Sequence, residues 1–182
     1  MYENRPASHE VMEYNYDRPF SVTLLAILLI LGGGSLVVVQ LITFASLSKF
    51  LAELGFSGVL IQVAIAFLGL LGIASGIGTF LGKKWGWWLA VFYFAYAISR
   101  NLTAIISIQD IISQVGAPEN GAGSYYLKYG IRAVWNGLIL WYLVRSEAVN
   151  SYFSTGDTPK WKAILVVFGI IALIYAFFNI FF

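Results

Sequence analysis

Residues 20–47 read FSVTLLAILLILGGGSLVVVQLITFASL. No Asp, Glu, Lys or Arg interrupts the stretch, and it exceeds the ~20 apolar residues that a helix needs to cross a bilayer. It is also longer than the ~7–15-residue apolar region of a secretory signal, and no small-residue cleavage pattern follows it. The run therefore reads as a retained transmembrane helix, which sets the terms for the rest of the chain.

Four more apolar runs follow, and the expected spans are about 20–47, 58–82, 85–112, 126–144 and 161–182. The 182 residues are 59% hydrophobic and only 11% charged, with a mean hydropathy of +0.79. A soluble domain carries about a quarter charged residues, so no sizeable soluble domain fits. The fold class is all-α: a polytopic transmembrane helix bundle of about five spans, a four-helix unit plus a C-terminal helix. Residues 1–19 form an N-terminal tail and 20–182 a single membrane domain. Polar or turn-rich segments separate the spans: SKFLAELGFSG, GKKWG, SQVGAPENGAGS and RSEAVNSYFSTGDTPK. The Lys83-Lys84 connection is short enough to make spans two and three a tight hairpin. No internal repeat is present.

Lysines and arginines set orientation, because cytoplasmic loops retain them. Arg5, Arg18, Lys83, Lys84, Arg145, Lys160 and Lys162 fall on one side of this arrangement, and Lys49 and Lys128 on the other. The N-terminus is then cytoplasmic and the C-terminus outside. Trp85, Trp87, Trp88, Trp141, Tyr142 and Trp161 cluster at the cytoplasmic ends, as interfacial aromatics do. A net charge of +2 is too small to point to nucleic acid.

Helices associate in lipid through close packing and polar contacts. Gly69, Gly72, Gly76 and Thr79 share one face of span two and read as helix packing, with Gln62 on the same face. Gly32-Gly33-Gly34 offers a close crossing in span one. In span three Tyr93, Tyr96, Arg100, Thr103, Ser107, Asp110 and Gln114 step by three and four, a polar seam along one helix face. Lys128, Arg132 and Asn136 make a stripe on span four. Polar faces of this kind turn inward, so the two are expected to meet each other or a partner.

Most membrane chemistries lack their parts. Cysteine is absent and histidine occurs once, as His9 in the tail. No metal site, haem or other cofactor is expected. Gly72-Ile-Ala-Ser75-Gly76 is the closest string to a serine-protease elbow, but no histidine is available to activate Ser75. No span holds two carboxylates at depth. Asn101-Leu-Thr103 matches a glycosylation triplet but lies within a span. No catalytic residue is assigned.

Three pieces carry a resemblance: Arg18-Pro19-Phe20 at the opening of span one, Gly76-Ile-Gly-Thr-Phe-Leu-Gly-Lys-Lys-Trp85-Gly-Trp-Trp at the hairpin, and Tyr142-Leu-Val-Arg-Ser-Glu-Ala-Val-Asn-Ser-Tyr-Phe153 after span four. Together they resemble an uncharacterised family of small prokaryotic polytopic membrane proteins. Ser146 replaces the proline of that pattern, and span five is an addition after its usual end. The resemblance implies a four-helix unit and a prokaryotic plasma membrane, and no activity. Arg145 and Tyr152-Phe153 suit an interfacial segment, with the apolar rings lying in the interface.

The remaining question is two intramembrane guanidiniums. At 1.5 Å per residue, Arg100 lies roughly 8 Å and Arg132 roughly 9 Å below the outer edge of a ~30 Å core. Gln62, Asn101 and Asn136 fall near that level. The arginines are expected to snorkel to outer phosphates, to pair with Glu53, Asp110, Glu119 or the C-terminal carboxylate, or to hold an anionic ligand. The function expected is a non-enzymatic accessory or assembly protein, or a subunit of a membrane complex or homo-oligomer. The alternative is a protein that binds or transports a small solute, anion or lipid headgroup through Arg100, Arg132, Gln62, Asn101 and Asn136.

Overall fold

The computed structural model of the chain describes residues 18–53, 55–115 and 121–181. Every regular element among the described residues is a helix: α1 (Phe20–Glu53), α2 (Gly55–Phe80), α3 (Lys84–Ile106), α4 (Ile108–Val115), α5 (Gly123–Arg145), α6 (Glu147–Tyr152) and α7 (Lys160–Phe181). Three of them are long and apolar enough to cross a membrane, over Phe20–Thr43, Lys84–Ile106 and Lys160–Phe177. Within the part of α2 whose side chains are described, the apolar stretch is Ala66–Phe80. Helix α5 has the length, but Lys128, Arg132 and Arg145 lie within it.

Local chemistry explains the helix ends. Pro19 and Pro159 precede α1 and α7, and their carbonyls accept from Val22 and Ala163; proline gives up nothing there, since those first amides have no helical partner. Helix α2 stops at Gly82, whose φ of +64° is a left-handed value that glycine adopts without strain. The Lys83 amide bonds to the Gly78 carbonyl and the Gly82 amide to that of Thr79, which closes a Schellman cap. Ser146 caps α6 through its hydroxyl, which accepts from the Val149 amide.

Span three is not one helix. It ends at Ile106, and Ser107 (φ −89°, ψ 12°) separates it from α4. The first connection, read as a polar loop from Ser48, is instead helical through Glu53, and α2 resumes at Gly55.

Packing centres on α3, which touches α2, α5 and α7. Its Trp87, Ala90, Val91, Phe94 and Ala95 are buried against Val22, Leu25 and Leu29 of α1, Leu140 and Leu143 of α5, and Ala163, Val167 and Ile171 of α7. The α7 residues repeat every four, a single stripe on one helix face. The rest of α7 faces outward and is equally apolar, including Leu165, Leu173 and Phe177. That pattern suits a helix with lipid rather than water around it.

The α1–α2 pair is held by missing side chains. A Cβ on Gly33 would lie 2.5 Å from the Gly69 carbonyl oxygen, and one on Gly76 would lie 2.8 Å from that of Ala26. Gly72 sits 3.1 Å from Gly33 Cα and 3.2 Å from the Tyr93 ring, both measured from an added Cβ. Gly69, Gly72 and Gly76 thus lie where α2 meets α1. At the hairpin, a Cβ on Gly86 would come within 2.2 Å of the Gly78 carbonyl carbon, so α2 and α3 touch backbone to backbone.

Candidate functional site

Polar side chains gather in two places, and they are built differently. The first is the end where α1, α3 and α7 begin and α2 and α5 finish. Arg18 donates from Nε to the Tyr152 hydroxyl at 3.1 Å, and its guanidinium lies 3.9 Å from the centre of the Phe80 ring. The Tyr152 hydroxyl donates to the Phe80 carbonyl at 2.9 Å, and its ring packs on Gly82, where a Cβ would meet it at 2.9 Å. One tyrosine therefore joins the start of α1, the end of α2 and α6. Ser21 and Tyr142 bond through their hydroxyls, linking α1 to α5.

On the other side of this end, the buried Trp87 indole donates to the Leu143 carbonyl at 3.0 Å. That carbonyl belongs to the last turn of α5, where helical donors run out. Asn150 donates to the Val144 carbonyl at 3.1 Å and accepts from the Thr155 hydroxyl at 3.0 Å. Lys160 donates to the Thr155 carbonyl and places its ammonium 5.0 Å from the Trp87 ring centre. The α5–α7 connection is thereby tied to α3.

The three motifs behind the family resemblance meet here: Arg18 from the first, Phe80, Gly82 and Trp87 from the second, Tyr142 and Tyr152 from the third. The expectation that the Phe153 ring lies in the interface is corrected: Phe153 is 1% exposed and belongs to the core. The bent Ser146–Glu147 step redirects the chain so that α6 folds back under the bundle.

The second place holds the arginines. Arg100 and Arg132 are both exposed, and neither guanidinium has a hydrogen bond or ion pair among the described residues. Asn101 is 3% exposed and donates to the Ala97 carbonyl of its own helix at 2.6 Å. Asn136 does the same with the Arg132 carbonyl, also at 2.6 Å. Gln62 lies in α2, but its side chain is outside the described residues, as are those of Glu53 and Asp110; Glu119, the C-terminal residue and His9 lie outside them altogether.

The continuous polar seam expected to face span four is split. Tyr93 points to α2 at Gly72, and Tyr96 stacks on Tyr175 of α7 with centroids 6.3 Å apart. Trp87 meets α5 through its bond to the Leu143 carbonyl, and Asn101 is buried; Arg100 lies one residue, about 100°, around the helix from Asn101. Helix α3 has three neighbours, α2, α5 and α7, and the side chains of the seam are shared among them.

Among the described residues no three His, Cys, Asp or Glu side chains converge as metal ligands. The Ser75 and Thr79 hydroxyls, one turn apart in α2, are fully buried without a hydrogen-bond partner. No family model, curated protein or solved structure matches this chain, so the likeness to small prokaryotic membrane proteins rests on the three motifs alone.

Proposed function

We propose that the chain is an integral membrane protein that serves as a non-enzymatic subunit or assembly partner of a larger membrane complex. In this reading α1, α2, α3, α5 and α7 are five traverses in a prokaryotic plasma membrane. The basic end, with Arg18, Lys83, Lys84, Arg145, Lys160 and Lys162, faces the cytoplasm, and the C-terminus lies outside. The observation that carries the reading is the exposed position of Arg100 and Arg132, without an acceptor among the described residues, on helices that this reading places in the membrane. A charge there is costly unless something accepts its hydrogen bonds. Around Arg132 the surface of α5 is apolar and outward-facing through Ile131, Val134, Trp135 and Leu138. A neighbouring helix that offers a carboxylate or free carbonyls would satisfy the arginines and cover this face together.

Tagged protein from mild detergent should carry a second chain in fixed stoichiometry by native mass spectrometry. Arg100→Gln and Arg132→Gln should each release it while leaving the melting temperature of the bundle alone. A lone bundle for wild type and variants alike means that the arginines snorkel, and it rejects the proposal. A second copy of the same chain would make the complex a homo-oligomer. A small anion that raises the melting temperature of the wild type and of neither variant would replace the partner helix by a ligand. Topology has its own check. The chain has no cysteine, so a single cysteine at position 124 should react with an impermeant maleimide in intact cells; reaction only after permeabilisation reverses the orientation.

A further inference from the structure

Helices α5 and α7 both dock on α3 and make little contact with each other. Between them, at the basic end, lies an open groove of about 300 Å3. Its rim carries two cations, Arg145 and Lys160, and two tryptophans, Trp141 and Trp161. Below the rim the walls are apolar, with Leu140 and Val144 on α5 and Ile164 on α7. Among the described residues no acidic side chain lines it.

We propose that this groove holds an anionic phospholipid, with the phosphate at Arg145 and Lys160 and one acyl chain along the apolar wall. The rim has the chemistry of a headgroup layer: indoles favour that depth, and basic pockets between membrane helices bind anionic headgroups. Each cation is held in place by an aromatic ring. The Arg145 guanidinium lies 5.0 Å from the Trp141 ring centre, and the Lys160 ammonium 5.0 Å from that of Trp87. Neither is consumed by a carboxylate. Asp157 and Lys84 are the other charges acting on Lys160, and they oppose each other; Glu147 is two residues from Arg145 and outside the groove.

Gly137 supplies the second argument. It lines the groove eight residues before Arg145, about 12 Å along the helix axis. A Cβ there would meet nothing within 4 Å, so this glycine does not serve helix contact as Gly69 or Gly86 do. Its missing side chain leaves room beside α5 at chain depth. A comparison groove of about 240 Å3 between α1 and α5, lined by Leu24, Leu28, Trp135 and Tyr142, carries no cation. It has no means of choosing among headgroups.

The full chain in nanodiscs of mixed phosphatidylglycerol and phosphatidylcholine, released and weighed by native mass spectrometry, tests the assignment. Wild type should retain phosphatidylglycerol in preference to phosphatidylcholine. Arg145→Gln should lower that preference about five-fold, since one basic residue is worth ~1 kcal/mol near an anionic headgroup. Gly137→Leu should lower retention of the lipid by a similar factor with the melting temperature unchanged, because it fills the chain slot without touching charge. Lys162→Gln, at the same end but outside the groove, should change little. Equal retention of both lipids by wild type overturns the proposal. An equal loss in Arg145→Gln and Lys162→Gln, or no loss in Gly137→Leu, reduces it to diffuse surface attraction. Displacement of the lipid by millimolar inorganic phosphate would make the ligand free phosphate and overturn it too.

Discussion

Polar side chains at the basic end reach across to other elements, whereas those near the arginines turn back on their own helices. Tyr152 touches two other segments and Trp87 a third. Asn101 and Asn136 each bond a carbonyl one turn earlier. The first arrangement supplies the chain with tertiary structure. The second only avoids the penalty of an unpaired amide, which is about 1–3 kcal/mol when buried. Among the described residues, the chain ties the elements of the basic end to one another, and no such cross-links hold Arg100 and Arg132.

The contrast makes a ranked set of stability expectations, all measured as detergent melting temperature and monodispersity. The largest belongs to the hairpin under the basic end. Gly86→Val drives a side chain into the Gly78 backbone, and backbone cannot rotate away. A loss of about 3 kcal/mol or more is expected, enough to prevent recovery of folded protein; a variant that melts like wild type would mean that the α2–α3 contact is looser than described. Next comes Trp87→Phe, which keeps most of the ring and removes the donor to a buried carbonyl. It should cost about 1–3 kcal/mol. Tyr152→Phe removes a more exposed bond and should cost about 1 kcal/mol, with the order Trp87 over Tyr152 as the sharper test. Smallest are Arg100→Gln and Arg132→Gln, each within about 0.5 kcal/mol of wild type, as for surface changes. A large destabilisation by either arginine variant in purified monomer would erase the difference between the two ends.

Much of the framework is legible in the sequence, since apolar runs and missing side chains act locally. The run after Pro19 becomes α1, and the glycines at 69, 72 and 76 lie along the α1–α2 crossing because a helix fixes which residues share a face. The break at Ser107 is not legible: Ile105-Ile106-Ser107-Ile108 has neither glycine nor proline to announce it. The inward turn of Phe153 is also hidden. An aromatic pair after an arginine fits an interface or a core equally well, and only the packing of the chain that follows α6 into the common core decides. The arginines stood out because a charge in an apolar run is conspicuous. The bond between Arg18 and Tyr152 is not legible, because it joins two separate motifs 134 positions apart.

That separation has a consequence for synthesis. A ribosome adding 5–20 residues per second takes roughly 7 to 27 seconds to travel from Arg18 to Tyr152. Phe80 is made 62 residues after Arg18, and from then until Tyr152 arrives the guanidinium has the Phe80 ring but not the tyrosine hydroxyl. The tyrosine that fastens it arrives after α5, and Lys160 clasps Trp87 later still. Closure of the basic end is thus a late event in biogenesis, and an insertion intermediate stalled before α6 would hold α1, α2 and α3 together with their base still unlatched.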